Sequence, residues 1–557
     1  MAVLIGPSPT WAQAPNFPQT LPPSTVYGRS ATSSGPGQAI PFSSLLGYLL
    51  SYGSFPTPPS IMSFGTNGSS TCNGVVDDTM AFAAAAAAVP LFTLPPGANC
   101  QITPAAGGIV LSSTPGMGII GAGEGSSIIT INSTSAKGIV LPAGAVEPVL
   151  RDFQITRTGT AAAGATNLDI SGGTTGGLLS DIVVKNGYNN IVLGPTDHGQ
   201  IRHVISGYAQ NHCFSMANTA GNGSMQWQFY NDDLGYYCNG NALDFTVVAG
   251  PSQITFGEIV SFQSYANTGH GINVSCSSSV PCNGLRIRAP FLGSDGSDEI
   301  YLNTFNTTGG THTIDAPTLE LAGTGGTGTG CPSSCTSASN VGTAIYITAN
   351  NGEINVINPT ITNISTDGIY NLSTSGNYTG QGTPILNING GSVTNVGLGG
   401  NTSLARGVTS QGSGEMLMRG VRSGNLAGTT QQYGVTVAGS TVHNIITEND
   451  LRGNSTSALV NASTDTTNRI ENNVGYNPVG STASANVGTS PATITAGPTR
   501  ETHYVTQAST NTATITKGGN VMATLSTTSP VTVELGPNES YIVTWSTQQP
   551  TYTKDVH

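Results

Sequence analysis

From Val149 onward, apolar and polar residues alternate in short runs with a period of two, the pattern of strands that bury one face. The runs start near Val149 (VLRDFQIT), Leu178 (LLSDIVVK), Gly199 (GQIRHVIS), Met225 (MQWQFYND), Ile254 (ITFGEIVS) and Leu285 (LRIRAPFL). They continue at Thr313 (TIDAPTLEL), Gly352 (GEINVINP), Pro384 (PILNINGG), Glu415 (EMLMRGVR), His443 (HNIITEND) and Asn468 (NRIENNVGY). Successive starts lie 21 to 39 residues apart, the irregular period of a solenoid. Strands this short, with no long helix between them, select a β-helix over leucine-rich or ankyrin repeats. Each coil then buries its inward side chains only against its neighbours, so the ends need caps.

One helix is predicted, and it stands before the strands. Asp77, Asp78 and Thr79 carry side-chain oxygens that accept the first free N–H groups of a helix. Met80 to Ala88 is alanine-rich, and Pro90 stops it. So short a helix does not stand alone in water. It is expected to lie against the end of the β body, with Met80 and Phe82 as its heavier side chains.

Residues 1–64 are rich in Pro, Ser and Gly with scattered aromatics, and no amphipathic period holds for long. Such a segment cannot bury a core of its own. The regular pattern ends after Asn472-Asn-Val-Gly-Tyr-Asn-Pro478. Residues 479–500 are expected to be a linker. Residues 501–557 hold several short strands, expected as a small C-terminal β module.

The string Gly74-Val-Val-Asp-Asp-Thr-Met-Ala-Phe82, then Leu94-Pro-Pro-Gly97, then Gly118-Ile-Ile-Gly-Ala-Gly-Glu-Gly-Ser-Ser-Ile-Ile129 resembles the start of right-handed parallel β-helix proteins. It looks most like bacteriophage tailspikes and pectate-lyase-like enzymes. Leu21-Pro-Pro-Ser-Thr-Val-Tyr-Gly-Arg29 and Gly35-Pro-Gly-Gln-Ala-Ile-Pro-Phe42 resemble the adaptor segments that tie phage tail proteins to the tail. The resemblance covers roughly residues 65–130 closely and the rest in character. It implies an all-β chain: an N-terminal adaptor (1–64), the β-helix start with its capping helix (65–130) and a right-handed parallel β-helix body (131–478). The linker and a C-terminal module for trimerisation or the tip follow. It further implies a homotrimer, phage tail proteins as partners of residues 1–64, and bacterial surface polysaccharide as ligand. The place of action would be the virion, and the extracellular space after host lysis.

Composition narrows the partners. Only 8% of the 557 residues are charged, Gly reaches 74, and the net charge is −12. That gives no basic footprint for nucleic acid or acidic membranes. No run approaches the roughly 18 apolar residues of a membrane helix, and no basic n-region of a secretory signal opens the chain. The eight cysteines (72, 100, 213, 238, 276, 282, 331 and 335) form no CxxC pair or zinc pattern. Cys276/Cys282 and Cys331/Cys335 lie close enough to staple loops, while the overall connectivity stays open. No P-loop, HExxH or GxSxG string occurs, and no metal or cofactor is expected.

Aligning the coils by their apolar residues puts Asp152, Asp181, His203, Asp232 and Glu258 at similar points. Coils stack about 4.8 Å apart, so carboxylates one or two coils apart fall near the ~5–5.5 Å or ~6.5–9.5 Å of retaining or inverting glycosidases. Asp232, Asp233 and Glu258 are the candidate catalytic carboxylates. Trp227, Tyr230, Tyr236, Tyr237, Tyr265 and His270 are candidate sugar-binding residues, since aromatic faces give a sugar an apolar platform. Arg286 and Arg288 form a candidate cationic pair for lyase chemistry. Asp295, Asp298 and Glu299 read as a solvated acidic turn, short of a calcium loop. The competing role of every Asp here is that of an ordinary turn residue. The resulting reading is a tailspike that recognises, and in the catalytic case degrades, a surface polysaccharide. A secreted β-helix lyase or hydrolase and a non-catalytic fibre or adhesin are the alternatives.

Overall fold

The computed structural model describes residues 25–28, 38–41, 58–65, 71–216, 224–230, 232–247, 254–276, 282–304, 311–323, 342–350, 352–373, 385–398, 405–412, 414–425, 430–476, 482–507, 512–526 and 529–556. Two compact units emerge, Met1–Ser60 and Ile61–His557. In the first, Thr25–Gly28 pairs antiparallel with Gln38–Pro41, so the two strings that resemble tail adaptors contribute one strand each. Most of the remaining expected adaptor lies outside the described residues, as does the Gly-rich stretch that holds Cys331 and Cys335.

The body of the second unit is a parallel β-helix. Each full coil gives one short strand to each of three faces. In one coil these are Glu258–Val260 (face A), Gln263–Tyr265 (face B) and Ile272–Cys276 (face C). The next coil repeats them as Arg286–Arg288, Phe291–Gly293 and Ile300–Thr304, parallel and in register. Period-two alternation sends the middle residue of each face A strand inward. Phe92, Ile119, Leu150, Leu179, Ile201, Phe229, Ile259 and Ile287 form one such column, which continues through Met418 to Ile470. All of these side chains are at most 2% exposed. Main-chain hydrogen bonds hold the coils, and this buried column drives their stacking.

Two corners repeat the same backbone device. Between faces A and B, Asp152, Asp181, His203, Asp232, Ser261, Ala289, Ala316, Asn358, Glu448 and Asn472 all have positive φ. After face B, Asn186, Tyr208, Tyr237, Ala266, Ser294, Leu321, Asn363 and Asn395 do the same. A left-handed residue turns the chain sharply, and Asn and Asp enter that region most readily among residues with a Cβ. The repeated aspartates of the sequence are therefore corner residues.

The helix Thr79–Ala88 covers the first coils. Phe82 is fully buried and meets Phe92 edge to face at 5.8 Å. Met80, expected to pack inward, is 68% exposed. Asp77 accepts the Thr79 N–H, while the buried Asp78 accepts the N–H groups of Thr71 and Cys72. Cys72–Cys100 and Cys213–Cys238 are disulfides that join adjacent coils. Cys276 is also disulfide-bonded.

The expected linker at 479–500 is corrected by the structure. Thr482–Asn486 and Ala492–Thr495 are strands of the C-terminal module, paired antiparallel with Thr551–Val556 and Ser540–Trp545. Their small residues (Ala485, Ala492, Ala496) hid the strand pattern. The module is two four-stranded antiparallel sheets enclosing their own core, with Val505, Ile515, Val533 and Tyr541 at its centre. Glu501 lies buried between Lys554 (2.8 Å) and His503 (2.6 Å). Burial alone would push its carboxyl up, yet the His503 and Lys554 hydrogen bonds hold it down to about 2.

Candidate functional site

The three expected catalytic carboxylates do not share a site. Asp232 is an exposed left-handed corner residue. Asp233 is fully buried and points into the coil, where one oxygen accepts the Val204 N–H at 2.8 Å. Burial pushes its carboxyl up to about 7. It holds the interior position that Asn449 holds farther along, where Asn449 accepts the Val421 N–H. Asp233 is thus a rung between coils and is closed to substrate. Glu258 begins a face A strand, three residues before the corner residue Ser261, and bonds Arg288 at 3.1 Å. Chain geometry puts about 10 Å of strand between the two positions, so Glu258 does not stand opposite Asp232.

The expected binding residues divide likewise. Trp227 is 2% exposed and its indole N–H donates to the Gly194 carbonyl at 2.8 Å. A Cβ at Gly199 would come within 2.6 Å of its ring, so glycine there admits the indole to the interior. Trp227 packs the core and offers no platform. Tyr230 pairs in register with Arg202 on face A. Arg286 and Arg288 both point outward on the same face, and Glu258 already neutralises Arg288. Asp295 and Glu299, expected in a solvated turn, are fully buried. The Asp295 carboxylate takes the Asn267 N–H and Nδ2 (3.0 and 2.8 Å) and the Ser264 hydroxyl. Burial and the nearby Asp295 push Glu299 well up. Gly271 leaves the space for this pair: a Cβ there would lie 2.7 Å from Asp295 Oδ2.

Tyr236, Tyr237 and Tyr265 do come together at the end of face B, joined by Tyr208. Tyr208 stacks on Tyr237 at 5.4 Å, Tyr236 meets Tyr208 at 5.2 Å, and Tyr237 meets Tyr265 at 5.9 Å. Gly207 and Gly293 bracket Tyr236 and Tyr265 in register. A Cβ at Gly207 would run into the Tyr236 ring. A turn of a few residues then leads from this cluster to face C, where His270 lies.

Face C carries the more continuous arrangement, and most of it went unread in the sequence. Just before each strand, one side chain accepts the backbone N–H of the equivalent residue one coil on. Asn189 accepts from His212 (3.2 Å), His212 Nδ1 from Asn241 (3.0 Å), and Asn241 from His270 (2.8 Å). His270 Nδ1 accepts from Asp298 (3.3 Å), and Asp298 from Thr343 (2.8 Å). Beside this ladder, the outward residues of the strands stack their rings. His270 lies on Tyr301 at 4.8 Å, Tyr301 meets Tyr346 at 5.7 Å, and Tyr346 meets Tyr370 at 5.2 Å. The Arg406 guanidinium closes the row, 5.2 Å over Tyr370 and held by the two hydrogen bonds it donates to Asp367 (2.9 and 2.6 Å).

Burial holds two titratable groups here neutral, and Arg406 is paired. Burial pushes His270 down to about 4 and Asp298 up to about 7. Their 3.4 Å approach therefore joins two neutral groups between those values. Asp244 accepts from Asn241 and Asn273 (2.6 Å each) and Thr246 (3.1 Å). Apolar ring faces beside hydrogen-bonding groups are what a sugar requires. A period-two count could have found Tyr301, Tyr346 and Tyr370, because each follows an inward isoleucine that opens its strand.

Among the described residues, one group of three metal-ligand types converges: Cys72, Asp78 and Cys100. Its two thiols are oxidised to a disulfide, so it offers no thiolate pair.

The chain matches no protein-family model and no curated protein. Among solved structures it is similar to the tailspike of E. coli bacteriophage HK620 in complex with a pentasaccharide, at 12% identity and a TM-score of 0.46, covering 95% of this chain and 97% of that one. It is similar to tailspike protein 3 of bacteriophage CBA120 at 12% identity and a TM-score of 0.45, with 84% and 79% covered. It is also similar to the A-module of the Azotobacter vinelandii mannuronan C-5 epimerase AlgE4, at 13% identity and a TM-score of 0.40, with 73% and 98% covered.

Proposed function

We propose that this chain is a phage tailspike that holds a bacterial surface polysaccharide on face C during adsorption. The carrying observation is the row His270–Tyr301–Tyr346–Tyr370, one ring per coil, closed by Arg406. The ladder fixes His270, and ring-to-ring contacts align the three tyrosines behind it before any ligand arrives, which lowers the ordering cost of binding. The four-tyrosine cluster at the end of face B extends the surface. Residues 1–64 attach the protein to the tail, and a closed homotrimer is the working assembly, consistent with outward strands poor in charge.

A degradative reading is favoured by one group. Glycoside hydrolysis needs a carboxyl that is still protonated near neutrality and a second carboxylate. Asp298 supplies the first, and Asp244 is the carboxylate on the same strip. The test is to incubate the full chain with surface polysaccharides of candidate hosts, following binding, polymer size and new chain ends. Binding lost in Tyr346→Ala supports the recognition reading. New reducing ends that vanish in Asp298→Asn make the protein a hydrolase, and unsaturated ends make it a lyase. Tyr346→Ala and Tyr370→Ala variants that both bind as tightly as the parent refute face C as the site.

A further inference from the structure

We infer that the face C strip takes an uncharged, hydroxyl-rich glycan and excludes carboxylated or sulphated polymers. This rests on the reading of the strip as the glycan site.

Selectivity follows from what the strip does with charge. Its guanidinium, Arg406, already has its charge matched within the fold. Nε and Nη2 both go to Asp367, and the plane lies against Tyr370. A ligand carboxylate at the remaining N–H groups would meet a guanidinium whose charge Asp367 already compensates, and displacing Asp367 would leave that buried carboxylate unpaired. The two imidazoles are no substitute. His212 and His270 each use Nδ1 to accept a backbone N–H, which fixes the neutral ring with its proton on Nε2. They are weak donors to a hydroxyl and supply no positive charge.

What charge the strip does hold is negative. Asp244 gathers three donors on one oxygen and, among the described residues, pairs with no Lys or Arg. The nearest basic nitrogen is His212 Nε2 at 3.8 Å, on a neutral ring. Toward the N-terminal end of face C, Lys137 is taken by Asp169 at 2.5 Å. The sequence adds no counter-charge nearby: segments 217–223, 248–253, 277–281, 305–310 and 374–384, which follow face C strands, contain no Lys, Arg or His. A uronate or sulphate on the strip would therefore face Asp244 with nothing to offset it. A neutral glycan meets the reverse situation. Its hydroxyls donate to Asp244, accept from imidazole Nε2–H, and exchange hydrogen bonds with the tyrosine hydroxyls, while its C–H faces lie on the rings.

The experiment uses the full chain and a panel of purified surface polysaccharides, some uncharged and some bearing uronate. Each polymer that binds is also tested after oxidation of a fraction of its primary hydroxyls to carboxylates. The expected result is binding to uncharged polymers only, weakened at least about tenfold by the added carboxylates. That loss should be partly reversed in Asp244→Asn and in high salt. Acidic polymers bound as tightly as neutral ones, with that binding lost in Tyr346→Ala, would overturn the inference while leaving the recognition reading intact. If no polymer binds, or if both Tyr346→Ala and Tyr370→Ala bind like the parent, the recognition reading falls and takes the inference with it. Circular dichroism of each variant separates lost binding from lost fold.

Discussion

His270 lies flat on Tyr301, ring centres 4.8 Å apart and planes 28° apart, while its Nδ1 accepts the N–H of Asp298 in the next coil. One side chain thus ties the register of the main chain to the first ring of the aromatic row. Replacing His270 with Ala removes the rung and the ring together. Replacing Tyr346 with Ala removes a ring alone.

Tyr346→Ala should weaken polysaccharide binding by about 1 kcal/mol, roughly fivefold in Kd, with little change in melting temperature. His270→Ala should lower both. Equilibrium binding beside thermal melts of the two variants checks this, and equal melting losses would dissolve the distinction.

Ala289 and Ala316 occupy the left-handed corner with φ of 46° and 48°, a conformation costing an ordinary residue about 1–2 kcal/mol. Both are exposed. Ala316→Asn should raise stability by about 0.5–1 kcal/mol, since Asn enters this region more readily. Asp232→Asn, at the same corner, should leave stability and any polymer cleavage unchanged. A cleavage defect in Asp232→Asn would return it to the catalytic candidates.

The buried Asp233 is raised to about 7, against about 3.9 in an unfolded chain. The folded state thus holds its proton through a window where the unfolded state has released it. This contribution is complete below about pH 4 and is lost as the pH rises through about 7. Asp233→Asn carries no such proton. Relative to the parent, the variant should therefore gain stability across that window, by at most about 4 kcal/mol. Denaturant titrations at pH 5 and pH 8 give the difference directly, and a constant offset would show that Asp233 ionises freely.

Cys213–Cys238 closes a loop of sequence separation 25 beneath the tyrosine cluster. Chain-entropy arguments give such a link about 3 kcal/mol. Cys213→Ala/Cys238→Ala should lose about that much, read as a lower denaturation midpoint with an unchanged slope. Parent protein in strong reductant should shift toward the same value.

The fold was legible because the period of two is imposed on every coil. The sequence-derived starts at Val149, Leu178 and Thr313 fall in one register column with Glu258, Arg286 and Arg469. The site was less legible, for a reason visible at Asp232 and Asp233. Adjacent in sequence, they point opposite ways, Asp232 outward at its left-handed corner and Asp233 into the coil, so two neighbouring carboxylates share no face. Trp227 misled in the same way, since composition cannot distinguish an outward ring from one filling the space above Gly199. Asp298 reads as a turn residue in the sequence, although its place in the ladder needs only a short acceptor side chain, which Asn241 also provides two coils earlier. Tyr236, Tyr237 and Tyr265 were readable because they are adjacent or one coil apart, whereas Tyr208, which joins them, was not singled out.

The row on face C also has a fixed pitch. Its rings recur once per coil, centres 4.8 to 5.7 Å apart, on coils whose stacking main-chain hydrogen bonding sets and no surface substitution can alter. A polymer lying along it is read like a scale against a vernier. Repeats that share the pitch stay in phase from His270 to Arg406, and repeats that do not fall out of step within a few coils. On the proposed reading, the β-helix would test the periodicity of a chain-like ligand as well as its chemistry, and a short oligosaccharide would escape that test.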